Sequence, residues 1–70
     1  MGDAGAIGSI IEDTIFVLKD MFDNDELSED KLVFALILLN TINQNAMEQN
    51  IDLCIDDEYI SYIQEHIKDI

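Results

Sequence analysis

The chain has 70 residues, 49% of them apolar, and carries sixteen Asp and Glu against three Lys and no Arg, a formal net charge of −13. A chain of this length holds one domain and buries only about 60% of the surface its unfolded form exposes, which excludes a multidomain arrangement and leaves little stability to spare. The charge excludes a direct hold on nucleic acid or on an anionic lipid surface and favours basic partners, which such a surface draws at up to about 10⁸–10⁹ M⁻¹s⁻¹ at low salt.

Residues 1 to 8 contain all three glycines and are expected to be a loose segment leading into the first helix. From Ile7 the apolar positions Ile11, Ile15, Leu18 and Phe22 recur at intervals of three and four, so a helix is predicted over 7–22, with Ser9 as its cap. Glu12, Asp13, Lys19 and Asp20 lie off that stripe. Asp23-Asn24-Asp25 then supplies a connection through an acidic loop.

Leu32–Leu39 is the run LVFALILL, eight apolar residues without Gly or Pro. Its length and its Leu and Ala content favour a helix, predicted over 29–47. Ser28 is placed to cap it, Glu29 and Asp30 stand at the positive end of its dipole, and Leu27 is placed to staple onto Leu32. A helix apolar all round needs cover on most sides, and the rest of the chain is expected to supply it, leaving mainly carboxylate facing water.

The amide-rich stretch Asn43 to Asn50 follows, with Asn50 as the expected helix stop. Ile51 to Ile55 alternates but has no partner strand, so an irregular crossing is expected. Asp56 or Asp57 then caps a last helix over 57–69, with Ile60, Ile63, Ile67 and Ile70 along one seam. The fold class is all-α, a single three-helix bundle. Twelve isoleucines exceed what so small a bundle easily hides, and the isoleucine seam ends at the terminus, so a homodimer is expected. Mean hydropathy of +0.09 and clear periodicity argue against disorder.

Catalysis is not expected, because Cys54 and His66 offer the only nucleophile and base and no motif surrounds either. Cys54 is expected to be a small buried hydrophobe and His66 a favourable charge at a helix end. A lone cysteine makes no internal disulfide and too few Cys and His are present for a metal site, so no cofactor or metal is expected. Asp23-Asn24-Asp25 opens like a calcium-binding loop, but Ser28 occupies the glycine position of that motif and Phe34 its closing glutamate. Ser28 also lacks the flanking Asp and Leu of an acyl-carrier attachment site. The opening MGDAGAIGS lacks the basic region of a secretory signal, Ala6 stands where a myristoylation motif needs Ser or Thr, and no apolar run reaches the about 20 residues that span a bilayer. A cytoplasmic protein is expected.

The carboxylates themselves remain. Asp20, Asp23, Asp25, Glu26, Glu29 and Asp30 place six acids in eleven residues, and Asp52, Asp56, Asp57 and Glu58 form a second group. Acids three or four apart on a helix sit roughly 5–6 Å from one another, a spacing of the same order as phosphates along a strand. A dimer would double both groups into an extended negative surface of the kind that DNA-binding proteins neutralise with Lys and Arg. A solvated face accounts for any one of these acids, but solubility needs far fewer than the whole set.

In size, charge and the acidic cap on an apolar helix, the chain resembles the small acidic DNA-mimic proteins of bacteriophages, among them inhibitors of the bacterial nucleoid protein HU. The resemblance implies a partner-binding surface that occupies the basic DNA-binding face of an HU-like protein in the host cytoplasm during host takeover. A helical protein-binding adaptor or antitoxin-like subunit is the alternative from a different class. An anti-restriction or anti-CRISPR inhibitor would share the mimicry and differ in target.

Overall fold

The structure, a computed structural model, describes residues 4 to 68 as three helices: α1 (Ala4–Asp23), α2 (Glu29–Glu48) and α3 (Asp57–Ile67). All-α bundle architecture follows, with no strand among the described residues. α2 packs against both α1 and α3, which touch each other less. Helix α1 runs parallel to α3, since Glu12 meets Asp56 at one level and Phe22 meets His66 at another, and α2 runs antiparallel to both.

Local chemistry sets the helix ends. Ser28 has extended backbone, and its hydroxyl accepts from the Lys31 amide at 3.4 Å, as expected of the cap, while Leu27 packs onto the core. At the far end of α2, Asn50 adopts φ 62°. Its amide donates to the Met47 carbonyl at 3.0 Å and the Ile51 amide to Ala46 at 2.8 Å, the paired bonds of a Schellman motif. The same pair closes α1: Asp25, at φ 60°, donates to Phe22 at 3.1 Å and Glu26 to Met21 at 2.8 Å. Two helices therefore stop on left-handed residues that are not glycine.

Residues 51–56 form the irregular crossing, ordered by an Asx turn in which the Cys54 amide donates to Asp52 Oδ1 at 2.9 Å. Cys54 takes φ 59° there and its side chain is exposed, so the expectation of a buried cysteine fails: the turn places Leu53 inside and its neighbour outside.

Ile11, Ile15, Leu32, Leu36, Leu53 and Ile63 are the buried core, with Leu18, Phe22, Leu39, Ile55 and Tyr59 packed around it. Three expectations change. The glycine-rich start is not loose from Ala4 onward, because α1 begins there and Ser9 lies inside the helix instead of capping it. Gly8 is buried under the crossing, and a β-carbon on it would collide with the Leu53 carbonyl, whose carbon would lie 2.9 Å away. Residues 1 to 3 of that segment lie outside the described residues.

Second, α2 is not covered on most sides. Leu32 and Leu36 are fully buried, yet Phe34 is 65% exposed, Leu38 51% and Ile42 48%, because two flanking helices cover only one side of a third. Water meets apolar surface as well as carboxylate. Third, part of the isoleucine seam is spent inside the bundle: Ile63 is buried and Ile67 packs onto the core, while Ile60 is only partly buried beside it, so the seam is not a free face as a whole. Ile70 lies outside the described residues.

Candidate functional site

Every one of the ten acids expected to bind a partner is exposed. Asp20 and Asp23 end α1, Asp25 and Glu26 form the turn, and Glu29 and Asp30 start α2, so the first group occupies one end of the bundle. Here one cation interferes, since Lys19 Nζ lies 3.2 Å from Asp23 Oδ2, the only ion pair among the described residues. That contact holds the Lys19 ammonium above its usual range through the hydrogen bond and charge of Asp23. The remaining acids of this end have no such partner.

Asp56, Asp57 and Glu58 cluster at the start of α3, with Asp52 in the crossing before them. Asp56 has the extended backbone of a cap residue but makes no side-chain cap bond. Its amide is taken from another direction: it donates to Glu12 Oε2 at 2.8 Å, across 44 residues of chain. This bond brings α1 carboxylates into the second group. The Tyr59 phenol reports them, its pKa raised first by burial and then by the charges of Glu12, Glu58, Asp56 and Asp13. The group is thus Glu12 and Asp13 with Asp56, Asp57 and Glu58, while Asp52 is committed to its turn.

Glu12 and Asp13 were not legible as site residues from spacing along the chain. Only their position off the apolar stripe, facing a neighbouring helix start, could have signalled them. From Glu12 to Asp23 the bundle axis advances about 16 Å at 1.5 Å per residue, which sets the separation of the two groups along α1. Four acids also favour their own helices: Glu29 and Asp30 in the first turn of α2, Asp57 and Glu58 in that of α3.

Other chemistry is spread out. Cys54 sits in the crossing, and His66 lies at the opposite end of α3, its Nδ1 2.9 Å from the Tyr62 carbonyl and its ring 4.4 Å from the Tyr62 ring. The two cannot share a proton. Among the described residues no cluster of His, Cys, Asp and Glu is placed to hold a metal ion, and no helix is long and apolar enough to cross a membrane. Between α2 and α3 an open groove of about 610 Å³ is lined by Asn40, Asn43, Gln44, Met47, Ile55 and Ile60, among others. Asn43 is nearly buried, and its amide donates to the Met47 thioether at 3.9 Å. Compared with protein-family models, with curated proteins and with solved structures, the chain matches none.

Proposed function

We propose that this protein is a DNA mimic, an inhibitor that occupies the basic DNA-binding surface of an HU-like nucleoid protein in a bacterial cytoplasm and blocks its binding to DNA. The observation that supports the reading is the disposition of charge: ten exposed carboxylates in two groups along one bundle, relieved by a single lysine pair among the described residues. Like charges at this density cost stability through repulsion. A chain with so small a core carries that cost more readily if the charge has a use.

The mechanism is competition by counterion release. Lys and Arg of a basic groove meet the carboxylates as they would phosphates, and the ions condensed on the charged surfaces return to solution. No single pair suffices, since an exposed ion pair is worth about 0–1 kcal/mol. The array acts together.

The test is displacement of labelled duplex DNA from purified HU, followed by fluorescence anisotropy. The wild type is expected to compete, and its apparent affinity to fall steeply as salt rises. Reversing Asp23, Asp25, Glu26, Glu29 and Asp30 to Lys is expected to abolish competition, while Glu48→Lys has little effect. Thermal melts of each variant separate lost binding from lost folding, because Glu29 and Asp30 also support α2. Folded reversal variants that compete at full strength would remove this end of the bundle from the mimic surface.

A second reading, the protein-binding adaptor, draws on the exposed Phe34, Leu38 and Ile42. Binding through those side chains would be nearly indifferent to salt, so the slope against ionic strength separates the two readings.

A further inference from the structure

The groove between α2 and α3 has two unlike walls. On α2 the lining side chains are the amides of Asn40, Asn43 and Gln44, followed by Met47, while the α3 side presents Ile55 and Ile60. Asn40 meets Gln64 of α3 at 3.5 Å and so bridges the helices at the far end. Asp52 and Asp57 stand at the other end, beside the crossing. No basic side chain lines the groove, and the last turn of α2 carries none either.

Asn43 sits at the centre of the amide wall. It is only 9% exposed, and its one side-chain bond runs to the Met47 thioether, a weak acceptor. Its amide oxygen accepts nothing from the described residues. An unfilled buried acceptor destabilises a fold, and an apolar side chain of the same shape would not. The groove therefore holds a buried acceptor that the N–H of a bound molecule would satisfy.

We propose that this groove binds a short peptide segment in extended conformation, basic at the end beside the crossing. This does not rest on the DNA-mimic reading. The amides favour an extended chain, whose N–H and C=O groups must be met on binding, because each Asn or Gln offers both a donor and an acceptor. A helical segment satisfies its own backbone and calls for apolar walls on both sides. Spacing agrees as well. Asn40 and Gln44 are about 6 Å apart along α2, near the roughly 6.6 Å between alternate residues of an extended chain. From Asn40 to Asn50 the wall runs about 15 Å, the length of four or five extended residues.

Charge sets the basic end. Asp57 is exposed in the first turn of α3, and Asp52 spends one carboxylate oxygen on the Cys54 amide and keeps the other. The net charge of −13 repels an acidic segment from the same place. Sites for small molecules bury most of the ligand, whereas this groove is open along its length and suits a chain that runs through it.

Nitrogen-15 NMR of the full chain, titrated to 2 mM with the peptide acetyl-VSVSVRR-amide, tests the proposal. The side-chain amide signals of Asn40, Asn43 and Gln44 are expected to shift, while the backbone signals of Asn24 to Glu26 stay in place. The acidic peptide acetyl-VSVSVEE-amide is expected not to bind. Asn43→Leu is expected to weaken binding about tenfold yet melt no lower than wild type, since it removes the unfilled acceptor. Asp52→Asn with Asp57→Asn, which keeps an acceptor for the Cys54 amide, is also expected to weaken the basic peptide about tenfold.

Absence of shifts at 2 mM overturns the proposal, as does an Asn43→Leu variant that binds like wild type. An Asn43→Leu variant that melts lower overturns it too, because Asn43 would then serve the fold alone. Equal binding by a stapled helical peptide of the same charge, or by arginine amide alone, overturns the extended-chain form. Asn43→Leu leaves every carboxylate in place and should still displace DNA from HU, so the groove and the mimic reading fail separately.

Discussion

Asp25 ends α1 at φ 60°, in a conformation that glycine adopts without cost, and its carboxylate stands at the negative end of the helix dipole among five other acids. Asn50 ends α2 in the same geometry at φ 62° without a charge. The pair allows backbone and charge to be separated. A left-handed backbone costs an ordinary L-residue roughly 1–2 kcal/mol, less for Asn and Asp, and glycine returns about 0.5–1 kcal/mol of that in unfolded-state entropy. Asn50→Gly is therefore expected to stabilise by about 0.5 kcal/mol.

Asp25→Gly has the same backbone gain and also removes an unfavourable dipole contact worth about 0.3–1 kcal/mol, for a total near 1 kcal/mol. In a domain this small, 1 kcal/mol is about 4–8 °C in Tm. Thermal melts followed by circular dichroism at 20 and 500 mM salt decide the matter. At low salt Asp25→Gly should exceed Asn50→Gly, and at high salt the two should converge. An Asp25→Gly variant that melts below wild type, or a difference that does not shrink with salt, would refute the reasoning. If Asp25→Gly also weakens competition with DNA, stability has been given up at that position for charge.

Further outcomes follow from single contacts. The Tyr62 hydroxyl is buried without a partner, so Tyr62→Phe should raise stability by about 1 kcal/mol in a urea titration at pH 7. Burial, and then Asp23, raise the Tyr62 pKa above 10 in the folded state. The unfolded chain therefore loses this proton first, and the stabilising contribution is complete below about pH 10 and lost as pH rises through the folded value, a limb that Tyr62→Phe should flatten. Leu36→Ala, at a fully buried position, should cost about 3–5 kcal/mol and leave the chain largely unfolded by near-ultraviolet circular dichroism and amide chemical-shift dispersion. Glu12→Ala should cost about 1 kcal/mol by removing the acceptor of the Asp56 amide, while Glu12→Gln, which keeps an acceptor, should cost less; equal losses would assign the effect to charge.

What the sequence revealed was whatever local chemistry decides. Ser28 before two acids and Asn50 after an amide-rich stretch each mark an end through local chemistry, and both ends fall where expected; α3 also starts after Asp56, but without a side-chain cap bond, the Asp56 amide being held by Glu12 instead. Asp25 was legible as part of a turn but not as a left-handed stop, since Asp serves many turn positions. Gly8 was misleading for the opposite reason. Glycine weakens a helix in isolation, and only the crossing that rests on it explains its place there. Burial around α2 depended on how many helices flank it, which no run of eight apolar residues can state. The ten acids were legible as exposed because nothing but water solvates so many carboxylates, whereas Glu12 and Asp13 joined them only through the packing of α3 against α1.

That packing also orders assembly. Helices α1 and α2 are joined by five residues and α2 and α3 by eight, so both pairs close short loops. The contacts of α1 with the crossing, Gly8 under Leu53 and Glu12 at Asp56, join residues some 45 apart. Closing that distance costs roughly 1.5 kcal/mol more loop entropy than closing eight residues. The seam between α1 and the crossing is therefore the last to form and the first to part, and amide protons at the start of α3 should exchange with solvent well before those buried in the middle of α2.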